Sequence, residues 1–208
     1  MTFELPDSTI VDKFIPKSKF YDFSSVNAAI KDEFTTVIGK ITYQNRLTSE
    51  TMHIPATDNI AIINVFAVDL KIRQIPMRAL TVIDKSIPAP ILFVLRHKGG
   101  ECVIIQHKIG NKKYYKSDWN SISDLQFTGS TLESIYQRLI TSLIATEDTD
   151  ISEGKSFEEV ITTNTQREQL TREISVLENK IRNERQFSKK VELNTELQKK
   201  RKQLSQLG

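Results

Sequence analysis

"NIAIINVFAVDLKIR", Asn59 to Arg73, is the stretch on which the fold turns. At a period of two, Ile60, Ile62, Phe66, Val68, Leu70 and Ile72 fall on one side. Ala61, Ile63, Val65 and Ala67 share the other, which turns polar at Asp69, Lys71 and Arg73. A strand apolar on both sides for most of its length belongs inside a sheet that helices cover.

Downstream, "PMRALTVIDKSIP" reads as a short helix, with Pro76 at its start and Pro88 ending it. "PILFVL" is a second buried strand. "ECVIIQHKI" and "KKYYKSDW" are two more, set off by the turns "KGG" and "GN". "STLESIYQRLITSLI" is a helix with Ser130 and Glu133 as its capping box. Leu132, Ile135, Tyr136, Leu139, Ile140 and Leu143 form its buried face. Upstream, Val26, Ile30, Phe34, Val37, Ile38 and Ile41 recur in steps of one, three or four. That spacing predicts a long helix from about Ser25 to Arg46, capped by Ser24 or Ser25. Before it, "FELPDSTIVDKFIPKSKFYDFS" reads as a loop-rich arm with a short helix. Residues 1–145 are thus expected to form an α/β (α+β) body, a mixed, partly antiparallel sheet flanked by helices in the order α-β-α-β-β-β-α.

Residues 146–164 read as an acidic linker, with Glu147, Asp148, Asp150, Glu153, Glu158 and Glu159 set against Lys155. One helical turn at "SFEEV" is the most structure expected there. Residues 165–208 are different again. Leu170, Ile174, Leu177 and Ile181 are spaced four, three, four, but the same heptad then meets the polar Glu184 and Ser188. A new register opens through Leu193, Leu197, Leu204 and Leu207, with Lys200 at one seam position. Two seams out of phase predict two helices folded back antiparallel, not one rod. In that reading Phe187 caps the bend and Ser188 is the second helix's N-cap. Seams this thin cannot offset the entropy of ordering about forty residues. The segment is expected to bind something, and its candidate partner-binding residues are Leu170, Ile174, Leu177, Ile181, Phe187, Leu193, Leu197 and Leu204.

The charge agrees with that division. The chain has 208 residues and a net charge of +3, yet Thr165 to Leu207 holds eleven Lys/Arg against six Asp/Glu. The excess positive charge sits in the tail, while the body is slightly acidic. No apolar run approaches the roughly 20 residues that span a bilayer, so no membrane partner is expected. "MTFELPDSTI" lacks the features of a signal peptide, and Cys102 is the only cysteine. A cytoplasmic setting fits both observations.

Little catalytic chemistry can be read. There is no Gly-x-Ser-x-Gly elbow and no phosphate-binding glycine loop. His53, His97 and His107 fall singly, so neither a metal site nor a cofactor is expected. One arrangement supports an enzyme. Asp69 and Lys71 stand at i and i+2 on one strand face, the acid-x-Lys pair of Mg²⁺-dependent restriction-type nucleases, with Glu101 on a neighbouring strand as a candidate second acid. If the strand is continuous, Asp58 lies too far back to share the metal. Lys112, Lys113 and Tyr115 interleave cations with aromatics, as surfaces that stack bases do, and Lys199, Lys200, Arg201 and Lys202 form a cation quartet. These seven are the candidate nucleic-acid contacts.

"LPDSTIVDKFIPKSKFY", "ITYQNRLTSETMHIPA", "VFAVDLK", "VIDKSIPAPILFVL", "KYYKSDW" and "NERQFSKKVELNTEL" together resemble a bacterial domain-of-unknown-function family, number 4391. The resemblance runs over nearly the whole chain. It implies no catalytic residues. It does imply a genetic setting beside helicase, DNA-methyltransferase and restriction genes. The expectation is a non-enzymatic accessory subunit of a defence or DNA-processing system. Its helical tail would meet a helicase- or methyltransferase-type protein, or a second copy of itself, with nucleic acid as a further contact. The alternatives are a nuclease acting through Asp69 and Lys71, or a simple homodimer.

Overall fold

Strand β3 (Ile63–Leu70) is buried along almost its whole length. In the computed structural model, which describes residues 5–21, 26–121, 125–144 and 156–207, it lies near the middle of a six-stranded sheet. The strands are β1 (Ile10–Phe14), β2 (Ile38–Leu47), β3, β4 (Ile91–His97), β5 (Gly100–Gln106) and β6 (Tyr114–Lys116), side by side in chain order. Only β3 and β4 run parallel; every other neighbouring pair is antiparallel. The helices are α1 (Ala28–Asp32), α2 (Ser49–Met52), α3 (Met77–Ser86), α4 (Leu132–Ile144), α5 (Phe157–Asn183) and α6 (Phe187–Ser205). The chain divides into two units, Met1–Leu143 and Ile144–Gly208.

In the first unit, Phe66, Val68 and Leu70 of β3 join Phe93 and Leu95 of β4 and Leu80 and Ile83 of α3 in one buried cluster. The alternate residues Val65 and Ala67 point to the opposite face of the sheet and are buried too. Burial on both faces is what the two-sided apolar pattern requires. α4 is tied in through Tyr136, whose hydroxyl donates to the Gln106 carbonyl at 2.6 Å and accepts from the Lys108 amide at 2.8 Å.

Several local expectations need correction. The segment from Ser25 to Arg46 is not one helix. α1 passes into a wide π-type turn (Glu33–Val37), and Ile38–Leu47 is strand β2. Asn27 caps α1, and its side chain accepts from the Ile30 amide at 3.0 Å; Ser24 and Ser25 lie outside the described residues. The helix-like spacing has a physical source. Pairing slips between Ile38 and Lys40, so Ile38 stands opposite Leu70 and Ile41 opposite Val68. The extra residue of this bulge puts two apolar side chains, three apart, on one face. The N-terminal arm also contributes a strand, β1. At α4 the reciprocal cap is Thr131 with Ser134. Glu133 instead accepts from Thr57 (2.7 Å) and Asn59 (3.0 Å), holding an earlier loop.

Candidate functional site

At the carboxyl ends of the two parallel strands, four charged residues stand opposite one another across four strands. Lys40 of β2 pairs in register with Asp69, Asp69 with Arg96 of β4, and Arg96 with Glu101 of β5. Arg96 turns toward β5 and β2: Nε lies 3.0 Å from Glu101 Oε1, and Nη2 donates to Gln44 Oε1 at 3.0 Å. The carboxylate of Asp69, a half-buried residue, makes no hydrogen bond or ion pair among the described residues. With Thr42, Ala67 and Arg96 it lines a cleft of about 350 Å³.

This geometry separates the residues of the nuclease reading. β3 ends at Leu70, so Lys71 lies beyond the strand. Its amine donates to the Thr35 carbonyl at 2.7 Å, at the π-type turn. Lys17 serves the same turn through the Phe34 carbonyl at 2.9 Å. Its amine is held below the usual lysine range by burial and by the nearby Lys71 charge. Asp69 and Glu101 are two strands apart, about 10 Å by strand spacing, with Arg96 between them. Carboxylates sharing Mg²⁺ must each reach to about 2 Å of it. Among the described residues no three His, Cys, Asp or Glu side chains come together to hold a metal.

Of the other singled-out residues on the body, Tyr115 is only 4% exposed, so its ring is not available to stack a base. Lys113 lies over that ring, 5.1 Å from its centre. Lys112 is exposed, in a left-handed turn (φ 55°). The neighbouring Tyr114 donates to Asp84 Oδ2 at 2.8 Å, and burial and the Asp84 charge push its phenol far up. Asp84, 2% exposed, is paired with Lys108 at 2.8 Å. The Lys108 amine also donates to the carbonyls of Asp84, Ile87 and Ala89 at the end of α3. Burial raises the Asp84 pKa against the opposing pull of Lys108. The arrangement caps a helix and pins the β5–β6 turn. Cys102 is buried, its thiol donates to the Ser117 carbonyl, and burial pushes its pKa up, away from the thiolate form.

The second unit is a helical hairpin. α5 starts at a capping box, Ser156 with Glu159, so residues 157–164, expected as linker, are helical. Residues 145–155 lie outside the described residues. Leu177 (6% exposed) and Leu197 (5%) are buried, while Leu170, Ile174, Ile181, Leu193 and Leu204 are half-buried. Phe187 does not cap the bend: it is 82% exposed, at the start of α6. The N-cap is Gln186, not Ser188, and it makes no side-chain cap bond. The bend is closed by Glu184, whose Oε1 accepts from the Arg185 (2.7 Å) and Gln186 (2.8 Å) amides. Those bonds hold its carboxyl below the usual range.

Two of the four clustered cations are spent within the hairpin: Lys200 pairs with Glu173 at 2.7 Å and Arg201 with Glu178 at 2.8 Å. Lys199 and Lys202 remain exposed. A groove of about 730 Å³ runs between the helices, with Val176 and Leu193 among polar neighbours that include Lys180, Lys189, Glu192 and Glu196. A second hollow of about 440 Å³ shares Val176, Lys180 and Glu196 and reaches Arg172 and Lys200. Val176 is 53% exposed. Leu193 belongs to the second seam, but the groove was not legible in the heptads because Val176 lies off both seams.

No helix among the described residues is long and apolar enough to cross a membrane. Residues 3–204 match one family model, described as Domain of unknown function (DUF4391). No curated protein and no solved structure matches the chain.

Proposed function

The chain belongs to the DUF4391 family, and from that premise we propose that it is a non-catalytic accessory subunit that assembles through its helical hairpin. The observation that carries this reading is the groove between α5 and α6. Val176 and Leu193 are the apolar residues of its lining, set among polar and charged residues of both signs. Such a groove suits an amphipathic helix from a partner protein, whose apolar residues would meet Val176 and Leu193 and whose charged ones would meet the charged lining. The thinness of the hairpin supports the same reading. Among the described residues of α5 and α6 only Val160, Leu177 and Leu197 are buried, and a unit this small needs further apolar burial to be stable. The partner class is that of the implied genetic setting, a helicase or DNA methyltransferase of a defence or DNA-processing system.

The body's chemistry favours this over a nuclease. Lys71 is committed to a backbone carbonyl, and Arg96 stands where a bridging metal would have to lie. The test is co-purification of the tagged full chain from its native host, with Val176→Asp as the variant. A stoichiometric partner lost in the variant supports the proposal. A partner retained at full occupancy by the variant, or Mg²⁺-dependent DNA cleavage by the pure protein that Lys71→Ala abolishes, overturns it.

A further inference from the structure

Most of the tail's excess positive charge collects at the bend of the hairpin, where residues 180–190 hold five Lys/Arg against one Asp/Glu. Arg182 lies in the last turn of α5, Arg185 in the bend, and Lys189 and Lys190 in the first turn of α6. All four are exposed. Among the described residues none of them makes an ion pair, whereas Lys200 and Arg201 further along α6 do. Between them in the chain stands Phe187, at 82% the most exposed large apolar residue described. Both features run against what the start of a helix favours. Acidic side chains stabilise the positive end of a helix and cations oppose it, yet the first turn of α6 holds two lysines and no acid. The one acid of the bend, Glu184, is turned onto the Arg185 and Gln186 amides through Oε1. An aromatic ring left in water is a second cost. An anionic ligand that also offers a flat apolar face removes both.

We propose that the bend binds single-stranded nucleic acid, with Phe187 stacking on an unpaired base while Arg182, Arg185, Lys189 and Lys190 hold the phosphates beside it. Stacking needs one free ring face, which Phe187 has, and an unpaired base offers the other. Bases inside a duplex are already stacked on their neighbours. An anionic membrane fits less well. Helices that lie on lipid bury a broad apolar face, and the exposed large apolar residues of α6 are Phe187 and Val191, one turn apart. Arg182, Arg185, Phe187 and Lys190 lie outside the groove lining, so strand binding here is separable from a helix seated between α5 and α6.

The test is fluorescence anisotropy of the pure full chain with labelled oligo-dT and oligo-U of equal length, circular dichroism verifying that each variant is folded. Phe187→Ala is expected to weaken binding about tenfold with the salt dependence unchanged, and Phe187→Trp to restore it. Arg185→Gln combined with Lys190→Gln should lower the slope of log affinity against log salt by about 0.7 for each cation lost. Binding of oligo-dT, oligo-U or both supports the proposal, and the tighter of the two identifies the sugar. Binding of neither, a Phe187→Ala variant that binds as tightly as the wild type, or capture by phosphatidylserine vesicles with no binding of either strand would overturn it. Val176→Asp should leave these affinities within about twofold of the wild type, so strand binding and the groove stand or fall separately.

Discussion

Lys200 Nζ lies 2.7 Å from Glu173 Oε2, bridging α6 to α5 from a seam position where a heptad would place an apolar residue. A single polar seam residue typically trades stability for a defined register. Lys200→Leu is therefore expected to raise the hairpin's melting temperature while making its pairing less specific. Thermal unfolding and light scattering together check this: a more stable variant with unchanged self-association would remove the register role.

Leu177 and Leu197 are the fully buried residues of that seam. Truncating either to alanine should destabilise the hairpin by about 2–5 kcal/mol, the range for a buried leucine. Amide hydrogen exchange should show the loss in α5 and α6 and leave β3 and β4 protected. Loss spread evenly over the sheet would contradict the division into two units.

Lys108 and Asp84 form the most enclosed ion pair described in the body. Lys108→Met leaves a buried carboxylate without its partner and frees three carbonyls at the end of α3. The expected cost is about 3–5 kcal/mol, measured by urea unfolding. A cost below about 1 kcal/mol would mean that the pair is as weak as a surface one.

Glu184 and Glu173 both have carboxyls held below the usual range, Glu184 by two backbone amides and Glu173 by Lys200 and Gln169. A depressed folded value stabilises above the ordinary carboxylate range and is lost as pH falls through that value. The hairpin should loosen on acidification from the ordinary carboxylate range downward, and Glu184→Gln should blunt the effect. Exchange rates of the Arg185 and Gln186 amides report it directly; rates independent of pH titration at Glu184, after correction for intrinsic exchange, would contradict it.

The sheet's interior was legible because both of its faces are buried there: β3, β4 and β5 read straight from continuous apolar runs. β2 was not, since a bulge puts Ile38 and Ile41 three apart on one face, the spacing a helix also shows. β1 hid for a different reason: all of its side chains are exposed, so no burial pattern marks it. In the hairpin the two seams could be read, but not the turn. Glu184 looked like a defect in the heptad, and only the folded bend shows its carboxylate meeting two amides. Asp69 and Lys71 formed a pair on paper because they are two residues apart; the end of β3 at Leu70 sends Lys71 to Thr35 instead.

The proposed function requires the groove between α5 and α6 to be a seat for a partner helix. The most direct measurement is stoichiometry and affinity for the co-purified partner, compared between the wild-type chain and Val176→Asp, by light scattering and titration calorimetry. A one-to-one complex weakened at least tenfold by the variant, with α5 and α6 still folded, is the result expected. Equal affinity for both chains would contradict it.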